Sequence, residues 1–224
     1  MSSPNLLPAI ELNPPSAPQA SVIWLHGLGA DGYDFVPIVA ELALPADAPV
    51  RFVFPHAPQQ PVTLNGGYIM PAWYDIRTTD LQQDEDEPGI QQSAAALQTW
   101  IEHEMALGIT PERILLAGFS QGGAIALYTG LTFPQKLAGI MALSTYLPLP
   151  QRIKQQHNVQ VQGLPVFVGH GTADTVVPLR AGETSAAWLQ ELGCTVSLHR
   201  YNMAHSVNQE EIGDIRSWLL QCLG

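Results

Sequence analysis

Positive charge is in short supply in this chain. Nine lysines and arginines face twenty aspartates and glutamates among 224 residues, a formal charge of −11. Such a surface repels nucleic-acid phosphates and anionic lipid headgroups, and no basic cluster interrupts it, so nucleic-acid binding is set aside. Cysteine is scarcer still. Cys194 and Cys222 are too few for a disulfide framework and fit no zinc-ligand spacing. Two free thiols in a reducing compartment are expected instead. No stretch approaches the ~18 apolar residues of a membrane span. The opening residues carry neither a basic n-region nor a continuous apolar h-region. Together these absences predict a soluble, cytoplasmic protein without an integral membrane segment.

What is present suits a packed core. Apolar residues make up 46% of the chain and charged ones 13%, enough burial to offset ordering entropy. The length fits one domain over residues 1–224, with a Pro-rich surface segment at 1–20 that includes an edge strand near 6–12. Apolar runs at 21–25 (SVIWL), 51–54 (RFVF), 113–117 (RILLA), 138–143 (AGIMAL) and 165–168 (PVFV) read as buried strands, and 195–201 (TVSLHRY) as a strand nearer the sheet edge. Helical patterns lie between them. Ile90, Ala94, Leu97, Ile101 and Met105 form one apolar face, and further helices fit 121–132, 179–192 and 208–220. Strands alternating with helices predict an α/β fold: a mainly parallel sheet flanked by helices on both faces. Residues 55–88 show no clear period, and their end, 80–87, carries five carboxylates that read as a solvated acidic turn.

Gly118-Phe119-Ser120-Gln121-Gly122 matches G-x-S-x-G. It follows the strand-like RILLA and precedes the helix-like QGGAIALYTGL, the strand–turn–helix setting that lifts a serine above the strand ends. The glycines are required because the turn is tight and the serine strained. A serine hydroxyl is a weak nucleophile without a positioned base. In this setting the chain order is nucleophile, acid, histidine. Asp174, just past PVFV, and His205, just past TVSLHRY, satisfy it, and each leaves a strand end. His26 and His170 sit in strand-end turns as candidate hydrogen bonders; His103, His199, His56 and His157 lie in a helix, a strand and loops. Asp75 and Asp214 are the fallback acids. Two backbone N–H groups are expected to form an oxyanion hole, one from Gln121 and one from the loop HGLGADG after SVIWL, with Leu28 as the donor. Neither G-x-G-x-x-G nor a Walker sequence is present, so that loop is not read as a phosphate cradle.

The blocks HGLGADGYDF, FPHAPQQPVTLNGGYIMPAWYDI, GFSQGGAIAL, ALSTYLPL and GHGTADTVVPL resemble the phospholipase/carboxylesterase family of α/β-hydrolases, which includes bacterial carboxylesterases and acyl-protein thioesterases. The resemblance runs from about Ser21 to the C-terminus. It implies an eight-stranded-type hydrolase sheet without a large lid domain, the triad Ser120, Asp174 and His205, oxyanion donors Leu28 and Gln121, no metal or other cofactor, and a possible homodimer. It further implies an acyl groove involving Met70, Pro71, Trp73, Tyr146, Val176 and Val177. Ala204, where relatives often carry glycine, departs from the pattern. The expected substrate is a small or lipid-like acyl ester: a short- to medium-chain ester, a lysophospholipid or an acyl-protein thioester. An acyltransferase using the same triad and a non-catalytic binding protein of this fold are the rivals.

Overall fold

A computed structural model of the chain describes residues 6–81, 83–156 and 159–223. The predicted His157 loop lies outside them. Seven strands form one sheet: β1 (Ala9–Leu12), β2 (Ala20–Leu25), β3 (Val50–Pro55), β6 (Ile114–Phe119), β7 (Gly139–Leu143), β8 (Pro165–Gly171) and β9 (Thr195–Tyr201), in the spatial order β1-β3-β2-β6-β7-β8-β9. Only β1 runs antiparallel, against β3; every other neighbour is parallel. Among the described residues the sheet therefore has seven strands, not the eight that the resemblance implies. The apolar runs are continuous because both sheet faces are covered. Along β2, Ile23 and Leu25 enter one core while Val22 and Trp24 enter the other. Helices α2 (Glu87–Ala106), α3 (Gln121–Thr132), α4 (Pro150–Gln155) and α5 (Leu179–Glu191) lie over the first core. Helices α1 (Val36–Leu42) and α6 (Gln209–Leu223), which pack on each other, cover the second.

Two short helices, α1 and α4, escape the sequence reading because seven and six residues hold too few apolar repeats to show a period. The aperiodic stretch after β3 also contains structure: β4 (Gln59–Val62) and β5 (Tyr68–Pro71) form a separate hairpin arm. Its strands are too short and too exposed to alternate visibly. No helix among the described residues is long and apolar enough to cross a membrane.

The topology dictates where the chemistry lies. From β2 the chain moves outward to β3, then returns to the other side of β2 to form β6. The loops after β2 and β6 thus leave adjacent strands, with Leu25 opposite Gly118, at the point where strand order reverses. Open α/β sheets bind ligands at the carboxyl ends of strands at such a point.

Candidate active site

Ser120 caps α3 with φ 53 and ψ −122, outside the regions open to most L-residues. Such strain costs of order 1–3 kcal/mol and persists only where the surroundings enforce it. Here two glycines do so. A side chain at Gly118 would collide with the backbone of Gly122, and one at Gly122 with the carbonyls of Leu25 and His26. The end of β7 holds the elbow from the other side. Ser120 N–H donates to Leu143 O (2.9 Å), and Thr145 Oγ1 donates to Ser120 O (2.6 Å).

On the far side of β7, Asp174 accepts the Val176 and Val177 amides on Oδ1 (both 2.9 Å) and meets His205 Nδ1 on Oδ2 at 2.7 Å. The carboxyl group is shut off from solvent, whereas the imidazole keeps an open edge. Gly171, ending β8, makes this approach possible, since a Cβ there would strike the carbonyls of Met203 and Ala204 in the His205 loop. Ala173 N–H also donates to Met203 O (3.0 Å), so the acid and histidine loops are sewn together. Ala204 is accommodated without disturbing this contact.

His170 Nε2 also lies 3.6 Å from Asp174 Oδ2, but it hydrogen-bonds Val177 O at 2.8 Å. Burial lowers its pKa, which disfavours the charged form that would compete with His205 for the carboxylate. His26, also held down by burial, accepts from Ala57 N–H on Nε2 (3.1 Å) and faces Gly27 O with Nδ1 (2.7 Å). Both strand-end histidines are thus hydrogen-bonded struts, as the sequence suggests. The fallback acids are engaged elsewhere: Asp75 with Thr63 and Arg77, Asp214 with His199 and Tyr201.

The structure brings the serine and histidine loops to one mouth without a hydrogen bond between Ser120 Oγ and His205 among the described residues. The Phe119 ring packs on the imidazole, centroids 4.6 Å apart. A Cβ on Gly27 would stand 3.3 Å from Phe119 Cδ1 and 3.5 Å from Ser120 Cβ, so the glycine loop closes the other side. In that loop Gly29 N–H donates to Pro71 O (2.8 Å) and Ala30 N–H to Gly27 O (3.3 Å), while no hydrogen bond among the described residues engages the Leu28 or Gln121 N–H.

The six groove candidates divide. Met70 and Pro71 are partly open on the hairpin arm, and Val176 is 60% exposed. Trp73, Tyr146 and Val177 are 2–3% exposed and lie behind that open surface. Trp73 Nε1 donates to His26 O (2.8 Å), the Tyr146 and Tyr74 hydroxyls meet at 2.6 Å, and Val177 O holds His170. These three brace the walls. Sequence reasoning missed the Gln121 side chain. Its Oε1 accepts from Trp73 N–H (2.8 Å) and its Nε2 donates to Tyr74 O (2.7 Å), tying the arm to the serine elbow. No local signal marks that role, because the partners lie 47 and 48 residues away. The acidic stretch 80–87 is likewise more than a solvated turn. Arg77 pairs with Asp75, Asp84 and Asp86, Glu87 pairs with Arg152, and Glu85 accepts the Leu149 N–H.

A second chain of the same residue types occupies β9 and α6. Ser197 Oγ meets His199 Nε2 at 2.7 Å, and His199 Nδ1 meets Asp214 Oδ2 at 3.2 Å. Phe167 stacks under His199 at 4.6 Å, and Tyr201 OH donates to Asp214 Oδ2 (2.9 Å).

A seven-stranded, mostly parallel sheet, a strained serine between strand and helix, and a histidine–carboxylate pair at the neighbouring strand ends define an α/β-hydrolase. The comparisons narrow this. Residues 8–223 match the sequence profile of the family described as Phospholipase/Carboxylesterase, and the chain belongs to that family. It is 39% identical to acyl-protein thioesterase 1 of Cryptococcus neoformans, over 98% of this chain and 99% of that one. Identity is 42% to acyl-protein thioesterase 1 of Yarrowia lipolytica, over 95% and 96%. The crystal structure of Zea mays acyl-protein thioesterase 2 superposes with a TM-score of 0.86 at 30% identity, covering 97% of this chain and all of that one. The protein is a hydrolase of carboxylic esters or thioesters.

Proposed function

We propose that the chain hydrolyses short- to medium-chain acyl esters and acyl thioesters, acyl-protein thioesters and lysophospholipids among them, by two-step acyl transfer through Ser120, His205 and Asp174. The observation that carries this reading is the 2.7 Å Asp174–His205 contact at the mouth that also holds the strained Ser120. His205 Nε2 takes the Ser120 proton as Oγ attacks the acyl carbonyl. The oxygen that becomes negative accepts hydrogen bonds from the Leu28 and Gln121 amides, each worth ~3 kcal/mol in the transition state. His205 then protonates the departing alcohol or thiol, and the acyl group stays on Ser120. Water attacks that ester, gives its proton to His205, and releases the acid as Ser120 regains its proton. Asp174 fixes the tautomer with hydrogen on Nδ1 and stabilises the imidazolium. The missing Ser120–His205 hydrogen bond suits such sites, where this contact tightens only as substrate enters.

Met70, Pro71 and Val176 offer apolar contact for the acyl chain, with Trp73, Tyr146 and Val177 as the packed wall behind them. The unpaired Cys194 and Cys222 suit the reducing cytoplasm. Fluorophosphonate labelling followed by peptide mapping tests the nucleophile, with modification expected at Ser120 alone. A folded protein that takes no label would sink the reading. A panel of acyl esters of rising length, with one thioester and one lysophospholipid, then ranks the substrates. Acyltransferase activity would show as ester product when an alcohol is added.

A further inference from the structure

Six residues beyond His205, in the first turn of α6, Glu211 is fully enclosed, and neither carboxyl oxygen has a hydrogen-bond partner among the described residues. An unpaired carboxylate in such a place is strongly unfavourable, and groups so placed give up their charge. The slot it fills is built for it. Gly169 lies under the carboxyl group, and any Cβ there would collide with Glu211 Oε1. Two residues along the same strand face, Gly171 leaves the matching space for the carbonyls of Met203 and Ala204. The β8 glycines therefore provide adjoining seats, one for Glu211 and one for the loop that carries His205. Asn208, between the His205 loop and the helix, caps the start of α6. Its side chain accepts Glu211 N–H (2.9 Å) and its carbonyl accepts Ile212 N–H (3.0 Å).

Among the described residues no cation pairs with Glu211. On its own helix Asp214 repels it. On β9, His199 and Tyr201 turn to Asp214, and Arg200 pairs with Glu183. On β8, His170 is spent on Val177 O, and on α1, Glu41 is taken by Gln209. Burial first, and Asp214 second, push Glu211 up to about 8.

We propose that Glu211 is a positioning residue that works uncharged: its carboxylic acid, seated on Gly169, fixes the start of α6 and thereby the crossing of residues 203–205 over Gly171, so that ionisation of Glu211 displaces His205 from Asp174. The consequence for the reaction rests on His205 being the base; the titration does not. A carboxyl group whose pKa is higher folded than unfolded holds an extra proton in the folded state. Folding stability therefore falls as pH rises from the ordinary carboxylate range to about 8, and is flat above it.

Three measurements on the full chain test this. The side-chain carbon-13 signal of Glu211, assigned by its loss in Glu211→Gln, is expected to titrate near 8; a midpoint below about 6 overturns the proposal. Well below the melting temperature, wild-type kcat is expected to fall reversibly above pH 8, toward tenfold per unit, with KM little changed. Glu211→Gln, neutral and isosteric, is expected to keep kcat within threefold at pH 7 and to lose the alkaline fall, whereas Glu211→Ala, which empties the seat, lowers kcat at every pH. A Gln variant that retains the wild-type alkaline limb, or is as impaired at pH 7 as the Ala variant, overturns positioning. Should the Gln variant not fold, a wild-type urea midpoint unchanged between pH 5 and 8 overturns it as well. Failure of the catalytic reading shows differently, as an active His205→Ala enzyme whose Glu211 still titrates near 8.

Discussion

Two Ser–His–Asp sets share this sheet, and the less favourable one has the better hydrogen bonds. Ser197, His199 and Asp214 are joined end to end at 2.7 and 3.2 Å, with Nε2 toward the serine and Nδ1 toward the aspartate. Ser120, His205 and Asp174 show only the acid–base half of that chain, at 2.7 Å. Yet Ser197 is an ordinary strand residue without positive φ. It adjoins no glycine loop with free amides, and its acid, Asp214, is 43% exposed. Ser120 has the strained elbow, the glycine loop and a fully enclosed carboxylate. On the proposed assignment, side-chain identity and pairing distance are weak marks of a hydrolytic centre. The strained nucleophile, the convergent donors and the dry acid are stronger ones, because they stabilise charge where it develops.

Paired substitutions can break that contrast. The largest effect is expected at the two serines. Ser120→Ala should lower ester turnover by at least ~10³-fold, while Ser197→Ala should leave it within about twofold, as read from initial rates on a chromogenic ester. A large loss at Ser197 would reverse the ranking of the two sets. Next come the acids. Asp174→Asn should cost roughly 10³–10⁴-fold in kcat by favouring the wrong tautomer, whereas Asp214→Asn should change kcat less than about twofold. Comparable losses in both variants would mean that the β9 cluster takes part. The Gln121 side chain sharpens the comparison from another direction, since Ser197 has no such tie to the arm. Gln121→Ala should lower kcat about tenfold, with near-normal stability, by loosening residues 73–74 and the elbow together. An effect confined to the melting temperature would reduce its role to packing. The smallest effect is expected at Met70→Ala: a severalfold rise in KM for a medium-chain ester and almost none for an acetate ester, about 1 kcal/mol, the low end for a lost apolar contact. Equal changes for both esters would remove Met70 from the acyl wall.

The sequence was most legible where local rules act alone. The strand 195–201 and the helix 121–132 appear at the predicted residues because alternation and a following proline mark them without tertiary help. The strand-end positions of Ser120, Asp174 and His205 were legible because each follows a strand pattern, and strand ends converge by topology. The hairpin arm was hidden, since Gln59–Val62 contains Pro61 and Tyr68–Pro71 leaves Tyr68 and Ile69 exposed, so neither strand alternates. The burial of Trp73 and Tyr146 was not legible, because it depends on partners such as Ser93 and Tyr74 that lie 20 and 72 residues away. Glu211 could not be singled out at all. A glutamate in the first turn of a helix ordinarily faces water, and only the bare surface of Gly169 reveals otherwise.

The end of β7 carries none of the proposed reacting groups, yet it acts as a gauge block. Leu143 and Thr145 grip Ser120 on one flank, and Ser144 N–H holds Gly169 O on the other at 2.8 Å. The span between hydroxyl and imidazole is therefore machined by three buried residues, and reshaping Thr145 offers a way to retune that span while every proposed reacting group stays as it is.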